Sequence, residues 1–445
     1  MSISVQGSCF MTVLRKVDWP LLMILLIAAV VRYWGISFGF PYTMGRPDEQ
    51  HTVELAIDCL RYVFNPHWFG YPTFYMYINA IIYSIYYQIG FLLGCFSSVT
   101  DFISGHGIFN LYMIDRCLSA FLGIATVFIT YKITFYMTNR KTGIIASGFL
   151  ALTYIHVRNS HYDTTDIPVT FFIMCSTLFL LNTNVMTTLR NYLISGIFAG
   201  LAAGTKYIGI LMILPAFLSI LFENLDRQSA NIKVMLDPRL LTFGTVTIIV
   251  FLLSTPYALF DYSEFYRDVT NQWGMINCVP RGLFGHGWWY HLKFSLFYGF
   301  GWPLLFASMA GIFIAFRNNL RKASVFMAFP VAYYALVLKG GMVYVRYTVP
   351  LLPFLCATAA IFTVFLGELL GKYLPGRCIN LVYVLAPLMI LPSALNTVKF
   401  DNLFLGGTIG YWPQNGWKKI SAGPPHCHRS ACRMEMSSST PGSGR

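Results

Sequence analysis

Apolar runs about the length of a bilayer crossing recur along the chain from Trp19 to Ala394, separated by short polar stretches. A hydrocarbon core about 30 Å thick takes about 20 helical residues at 1.5 Å each. The pattern therefore predicts an all-α integral membrane protein. It would be a polytopic bundle of about eleven to thirteen transmembrane helices forming one domain over residues 1–395. The first run, Trp19 to Val31, follows Arg15 and Lys16 but precedes no small-residue cleavage site, so it reads as a first helix and not as a signal peptide. In the polar stretch behind it, Val53, Ala56, Ile57, Leu60 and Val63 or Phe64 recur at helical spacing. That stripe predicts an interfacial helix in the first outer loop, lying along the membrane surface.

Polar positions orient the bundle. Arg15-Lys16, Asn139-Arg140-Lys141, Arg227 to Arg239, Arg317 to Lys322 and Lys372 to Arg377 form basic clusters, which the positive-inside effect assigns to the cytoplasm. The loops around Phe40 to Gly70, His156 to Asp166, Lys206, Tyr257 to His291 and Lys339 to Arg346 then lie outside. Asn191 to Phe222 is too long for one span, and Gly204-Thr205-Lys206 at its middle divides it into two helices meeting at the outer surface. Tyr71 to Leu93 and Leu111 to Met137 both look like spans, yet the flanking loops require an odd number of crossings between them. One of the two is a hairpin or lies in the interface.

Composition sharpens this picture. The 445 residues are 56% hydrophobic and 11% charged, with mean hydropathy +0.58, against roughly a quarter charged for a soluble domain. The net charge of +13 sits in the basic clusters without any RNP, zinc-finger or basic-helix pattern, which excludes nucleic acid as the partner. The ten cysteines form no CxxC, so neither a disulfide framework nor a zinc site is indicated. No repeat of solenoid or inverted-transporter type is visible. Residues 396–445 read as a tail, polar and disordered from about Ser421, and its His426, Cys427, His428 and Cys432 match no metal spacing.

Chemistry-bearing residues gather in the outer loops. Asp48 and Glu49 follow the first span in RPDEQHTVELAIDCLRY, where Pro47 and two acids would also simply start a helix. Asp163 and Asp166 lie in NSHYDTTDIPVTFF, just before Pro168 opens a long apolar helix. Two acidic loops on one face of a membrane bundle exceed what capping requires, because carboxylates near hydrocarbon are expensive. They could activate an acceptor hydroxyl or hold a divalent cation, Mg or Mn, through Asp48 and Asp166. Lys206, Arg116, Arg158, Lys339 and Arg346 lie on the same face. Each alone could snorkel to the headgroups, whereas together they could clamp a phosphate. Trp273 stands in an aromatic loop, Tyr257 to His291, that could be an interfacial belt or a sugar-stacking platform.

In order and placement these motifs resemble the GT-C superfamily, and within it the protein O-mannosyltransferase-like group that includes the aminoarabinose transferases. The residues concerned are the PDE of the first loop, NPHWFGYPTFYMYI, DRCLSAFLGIATVFITYKI, NSHYDTTDIPVTFF, GLAAGTKYIGILMILP and RYTVPLLP, spread over about residues 15 to 370. The resemblance implies a hexosyl or pentosyl transferase that inverts the sugar, with a polyprenyl-phosphate-linked sugar as donor and a protein, lipid or glycan hydroxyl as acceptor. It makes Asp48 the catalytic base or acceptor organiser, with Glu49 and Asp166 beside it. Lys206 and Arg346 would meet the carrier phosphate, with Lys339 and Arg116 supporting them, and His51, His161, Asp163 and Trp273 would contact substrate. His51 stands where aminoarabinose transferases have arginine, and Gly70-Tyr71-Pro72 lacks the charged residue often found before that proline. Both departures speak against lipid A as acceptor. The implied location is the plasma membrane of a prokaryote or the endoplasmic reticulum of a eukaryote, with the site on the non-cytoplasmic face. Neither GxGxxG nor GxxxxGK[ST] occurs, as a lipid-linked donor requires. The alternative is a multi-pass transporter or lipid flippase, which calls for ionisable residues near span centres, not at one set of ends.

Overall fold

The computed structural model of the protein describes residues 18–40, 47–61, 64–103, 106–181, 189–226, 232–278, 286–373 and 381–405. The tail beyond Leu405, with His426, Cys427, His428 and Cys432, lies outside the described residues, and the last helix runs past residue 395. The described residues are mostly helical, with no strand among them. In chain order the α-helices of five residues or more are α1 (Trp19–Tyr33), α2 (Pro47–Arg61), α3 (Phe74–Leu92), α4 (Val99–Ile103), α5 (His106–Met137), α6 (Arg140–Leu152), α7 (Tyr154–Ser160), α8 (Asp166–Leu181), α9 (Leu189–Thr205), α10 (Ile213–Asp226), α11 (Pro238–Ser254), α12 (Tyr262–Cys278), α13 (Trp302–Asn318), α14 (Leu320–Leu336), α15 (Leu352–Tyr373) and α16 (Val382–Leu405). A 3-10 segment leads into α10 and another into α15, and a π-helix, His291–Gly301, leads into α13. Five helices among the described residues are long and apolar enough to cross a membrane.

The basic clusters that fall among the described residues share one end of the bundle. Asp18 caps α1 there, accepting from Leu21 N, and pairs with Arg140 at 2.7 Å. Lys141 reaches Glu368 near the end of α15 at 3.4 Å, and Lys322 at the start of α14 donates to the Tyr136 carbonyl of α5. Asn139, Asp237 and Asn319 supply the N-caps of α6, α11 and α14, each accepting from a first-turn backbone N–H. Caps and cations thus serve the orphaned backbone groups of the same rim.

Helices then alternate in direction between this basic end and the end bearing Asp48, Asp166 and Lys206. The end-to-end passages are α1, α5, α6 with α7, α8, α9, α10, α11, α13, α14, α15 and α16, which makes eleven among the described residues. The odd crossing count between residues 70 and 137 is met because α5 crosses and α3 does not. Helix α5 has 32 residues, about 48 Å at 1.5 Å each, so its first turns stand clear of a 30 Å core. Around them α2, α3 and α4 build a satellite core from Val53, Ala56, Cys59, Met76, Ala80, Tyr83, Phe102 and Leu111. The apolar face of α2 is therefore covered by protein. Its buried positions are Val53, Leu55, Ala56 and Cys59, while Leu60 of the expected stripe is exposed.

Two local devices place the site. Gly196, Gly200 and Gly204 line one face of α9 against α11, where a Cβ at Gly200 would come within 2.6 Å of the Val250 Cβ and one at Gly196 within 2.9 Å of the Phe243 carbonyl. Such small-residue seams let membrane helices approach backbone to backbone. The helix pair ends at Lys206, whose extended backbone (φ −155°, ψ 134°) separates α9 from the 3-10 turn. The predicted division of this long apolar stretch into two helices is therefore present. Arg32 of α1 closes another break. It is fully buried and donates to the carbonyls of Leu150 and Ala151, the last turn of α6 before the extended Thr153.

Candidate functional site

At the acidic end, four charged side chains from four elements form a row of alternating sign. Asp48 in the first turn of α2 pairs with Arg346 Nη1. Arg346 Nε lies 3.7 Å from Asp166 Oδ2, and Lys206 Nζ lies 2.6 Å from Asp166 Oδ1. Exposure grades along the row: the Asp48 side chain is 43% exposed, whereas those of Arg346, Asp166 and Lys206 are at most 11% exposed. Tyrosines wall it. Lys206 Nζ sits 5.1 Å from the Tyr347 ring and 5.7 Å from the Tyr71 ring, and the Arg346 guanidinium 4.9 Å from Tyr344. Burial pushes the Tyr71 hydroxyl up to about 12, so it remains protonated and able to donate at neutral pH. Aromatic faces suit both cations, which holds them in place without neutralising them.

Asp48 and Glu49 are neighbours in sequence, but one residue of helix turns the side chain through about 100°, and the two go to different surroundings. Glu49 is fully buried and receives both Nε (2.9 Å) and Nη2 (2.8 Å) of Arg116, while the Arg116 Nη1 donates to the carbonyls of Ile36 and Phe38. This fork-to-fork pair spends all three Arg116 nitrogens on the protein. Glu49 Oε1 also accepts from the backbone N of Asp163 at 3.0 Å, tying the first acidic loop to the second.

Behind that pair lies a second carboxylate cluster. Asp163 accepts from the Tyr75 hydroxyl at 2.8 Å and Asp115 from the Tyr83 hydroxyl. Burial, with the Glu49 charge adding to it, raises the Asp163 carboxyl to about 7 against the pull of the Tyr75 hydroxyl. The folded protein thus holds this proton more tightly than the unfolded chain, which releases it near 3.8. The stabilisation is fully present below about pH 4 and is lost as the pH rises through about 7. The thermal midpoint of the detergent-solubilised chain is accordingly expected to fall between pH 5 and pH 7, and Asp163→Asn to flatten that slope. A midpoint whose pH dependence is the same in both proteins would remove Asp163 as its origin.

The remaining expected site residues are spread out. His51 is half-buried with its ring edge-on to Trp68 at 4.4 Å, and burial lowers its pKa. His161 is buried, with its ring nitrogens 3.0 Å from the carbonyls of Val157 and Trp34 and Nε2 3.8 Å from Asp401. Burial lowers its pKa as well. Lys339 is exposed in the turn after α14, and Trp273 is exposed on α12. The structure therefore brings Asp48, Asp166, Lys206 and Arg346 together and leaves Arg116, Lys339, His161 and Trp273 outside that row. Two acids of the aromatic loop, Asp261 and Asp268, clamp the first loop. Asp268 accepts from Phe69 N at 2.9 Å and Asp261 from Asn65 at 3.0 Å, while Tyr207 donates to the Phe69 carbonyl. That loop includes Phe64 and His67 at positive φ, a conformation that costs non-glycine residues energy and is held by its surroundings.

The donor set does not suit a divalent cation. Asp48 and Asp166, the two proposed ligands, each already face a cation, and no cluster of three His, Cys, Asp or Glu occurs among the described residues. An ion there would have to displace Arg346 and Lys206, so no step is routed through one. A neutral row of two acids and two bases instead offers two cations to an incoming phosphate and one exposed carboxylate beside them.

Residues 93–233 match the family model for dolichyl-phosphate-mannose-protein mannosyltransferase. Comparison with curated proteins found no match. Among solved structures, the chain is similar to the oligosaccharyltransferase of Archaeoglobus fulgidus at 14% identity and TM-score 0.57, covering 95% of this chain and 58% of that one. That protein has been solved with an inhibitory peptide and a dolichol-phosphate. It is also similar to ArnT of Cupriavidus metallidurans bound to undecaprenyl phosphate, at 14% identity and TM-score 0.55, covering 92% of this chain and 77% of that one. The chain thus spans little more than half the length of the oligosaccharyltransferase. At these identities the likeness shows the fold alone, a multi-pass membrane architecture shared with these two proteins.

Proposed function

We propose that this chain, which has the GT-C membrane fold and matches the protein mannosyltransferase family model over part of its length, moves a sugar from a polyprenyl-phosphate carrier to an acceptor hydroxyl on the non-cytoplasmic face. The observation that carries the reading is the row Asp48–Arg346–Asp166–Lys206 at the end of the bundle opposite the basic clusters. The carrier phosphate is an anion that draws Arg346 and Lys206, and Asp166 holds both cations in position until it arrives. Arg346 is then shared between Asp48 and phosphate. As its charge turns to the phosphate, Asp48 is freed to take the acceptor proton. The acceptor oxygen attacks the anomeric carbon, the carbon–oxygen bond to phosphate breaks, and the electron pair leaves on the carrier phosphate, which Arg346 and Lys206 stabilise. Charge matching and positioning supply most of the acceleration, since the phosphate needs no further activation to depart.

Glu49 and Arg116 belong to this reading as positioning residues, because their bidentate pair fixes α2 and hence Asp48. The ionisable side chains of the row sit at helix ends and not along a path through the bundle, which disfavours the transporter alternative. The test is transfer of labelled sugar from a panel of polyprenyl-phosphate sugars in membranes containing the chain or Asp48→Asn at equal folded amounts. Label should reach an acceptor with the native chain, and the variant should be slower by about 100-fold, the lower range for loss of a general base. Equal transfer by both proteins would remove Asp48 from the chemistry, and an intact panel would end the transferase reading.

A further inference from the structure

A second site lies away from the charged row. Two cavities follow one another in the seam between the π-helix with α13 and the antiparallel α16. The first, about 400 Å³, is lined by Tyr298 and Gly299 on one side, Asn396 and Lys399 on the other, and Arg158 from α7. The second, about 650 Å³, is lined by Trp302 and Phe306, by Leu388 and Leu391, and by Phe362 of α15. From Gly299 to Trp302 and from Asn396 to Pro392 the lining passes from one cavity to the next within about one helical turn. Between them the two backbones touch, with a Cβ at Gly301 falling 3.7 Å from that of Ser393. Gly301 has φ +104°, which few other residues adopt.

The chemistry is graded along the seam. The first cavity lies at the acidic end of the bundle and presents two cations, and none of its lining side chains among the described residues is acidic. Arg158 Nε is buried with no hydrogen-bond partner, although its guanidinium lies over the Tyr154 ring at 5.5 Å. The second cavity runs toward the middle of the bundle and is almost wholly apolar, with Trp302, Phe306, Leu388 and Leu391 facing outward. A cationic head compartment at the interface, continued by an apolar channel at hydrocarbon depth, has the outline of an anionic amphiphile. We propose that this seam binds a membrane lipid with a phosphate headgroup, the phosphate taken by Arg158, Lys399 and Asn396 and an acyl chain lying against Trp302 and Phe306. Val345 lines the head compartment and precedes Arg346, so the lipid would sit at the rim of the charged row without occupying it. The inference does not depend on which sugar is transferred, or on whether one is.

The test uses the full chain reconstituted in phosphatidylcholine vesicles containing a small fraction of lipid brominated in its acyl chains, either phosphatidylglycerol or phosphatidylcholine. The signal from Trp302 is the fluorescence difference between the native chain and Trp302→Phe. Brominated phosphatidylglycerol should quench it at about tenfold lower mole fraction than brominated phosphatidylcholine, given two cations at the headgroup. Arg158→Gln/Lys399→Gln should abolish the preference while leaving quenching by bulk lipid. Lys399→Glu, a change at an exposed position, should abolish it even if the double variant folds poorly. Ala310→Phe, which fills the apolar channel, should weaken quenching by either lipid. Inorganic phosphate added alone should leave the preference in place, because the acyl chain contributes to the hold. Equal quenching by both headgroups, a preference that survives the charge variants, or one erased by inorganic phosphate would each overturn the proposal.

Discussion

Replacing Arg346 with alanine is expected to slow sugar transfer by about 1000-fold, the upper range for removing one preorganised group that meets developing charge. Arg346 is the only member of the row that faces both carboxylates. Without it, the phosphate loses one of two cations, and Asp48 and Asp166 are left to repel the same anion. Arg346→Lys should recover only part of the rate, because an ammonium is a point charge and cannot address two partners as a planar guanidinium does. The loss could also be read as damage to the fold, since both Arg346 and Asp166 are nearly buried. The double variant Arg346→Ala/Asp166→Asn separates the two explanations. Removing the uncompensated carboxylate should restore the thermal midpoint, while transfer stays low. Recovery of activity along with stability would show that Arg346 acts only as a counter-ion to Asp166.

How far this row could be read from the sequence depends on what kind of information each member carries. Lys206 is legible because a lysine after Gly204-Thr205 interrupts an apolar stretch too long for one span, and the backbone does break there. Asp166 is legible from its place before Pro168 at the mouth of a helix. The joining of these residues to Arg346, well over a hundred positions further on, rests on helix packing, and the glycine seam of α9 against α11 that helps set it involves no charged residue. Asp48 and Glu49 looked equivalent because spacing does not tell which side of a short helix meets protein. The satellite core decides that, and it forms only because α5 protrudes from the bundle. Helix α3 is long enough for a span but not apolar enough to be one, and its tyrosines, Tyr75 and Tyr83, reach buried carboxylates at the acidic end. Tyr71, whose ring lies 5.7 Å from Lys206 Nζ, gave no sequence signal beyond preceding a proline.

The Glu49–Arg116 pair gives the largest expected effect on stability. Both side chains are almost fully enclosed, and removing one partner strands the other as an uncompensated charge, at a cost of about 3–5 kcal/mol. Glu49→Ala should be the more damaging of the two single changes, because Glu49 also accepts the backbone N–H of Asp163. Arg116→Met keeps that hydrogen bond but leaves an uncompensated buried carboxylate beside Asp163, whose own carboxyl burial already raises to about 7. Thermal unfolding in one detergent should place both single variants well below the native chain. The double variant Glu49→Gln/Arg116→Met should lie above Glu49→Ala, since no net charge then remains buried. Sugar transfer by the double variant should nevertheless stay depressed at temperatures where it is folded, because nothing then fixes the turn of α2 that aims Asp48 at Arg346. A double variant that folds and transfers at the native rate would mean that α2 is held by its satellite core alone, and that the buried ion pair has no part in positioning the base.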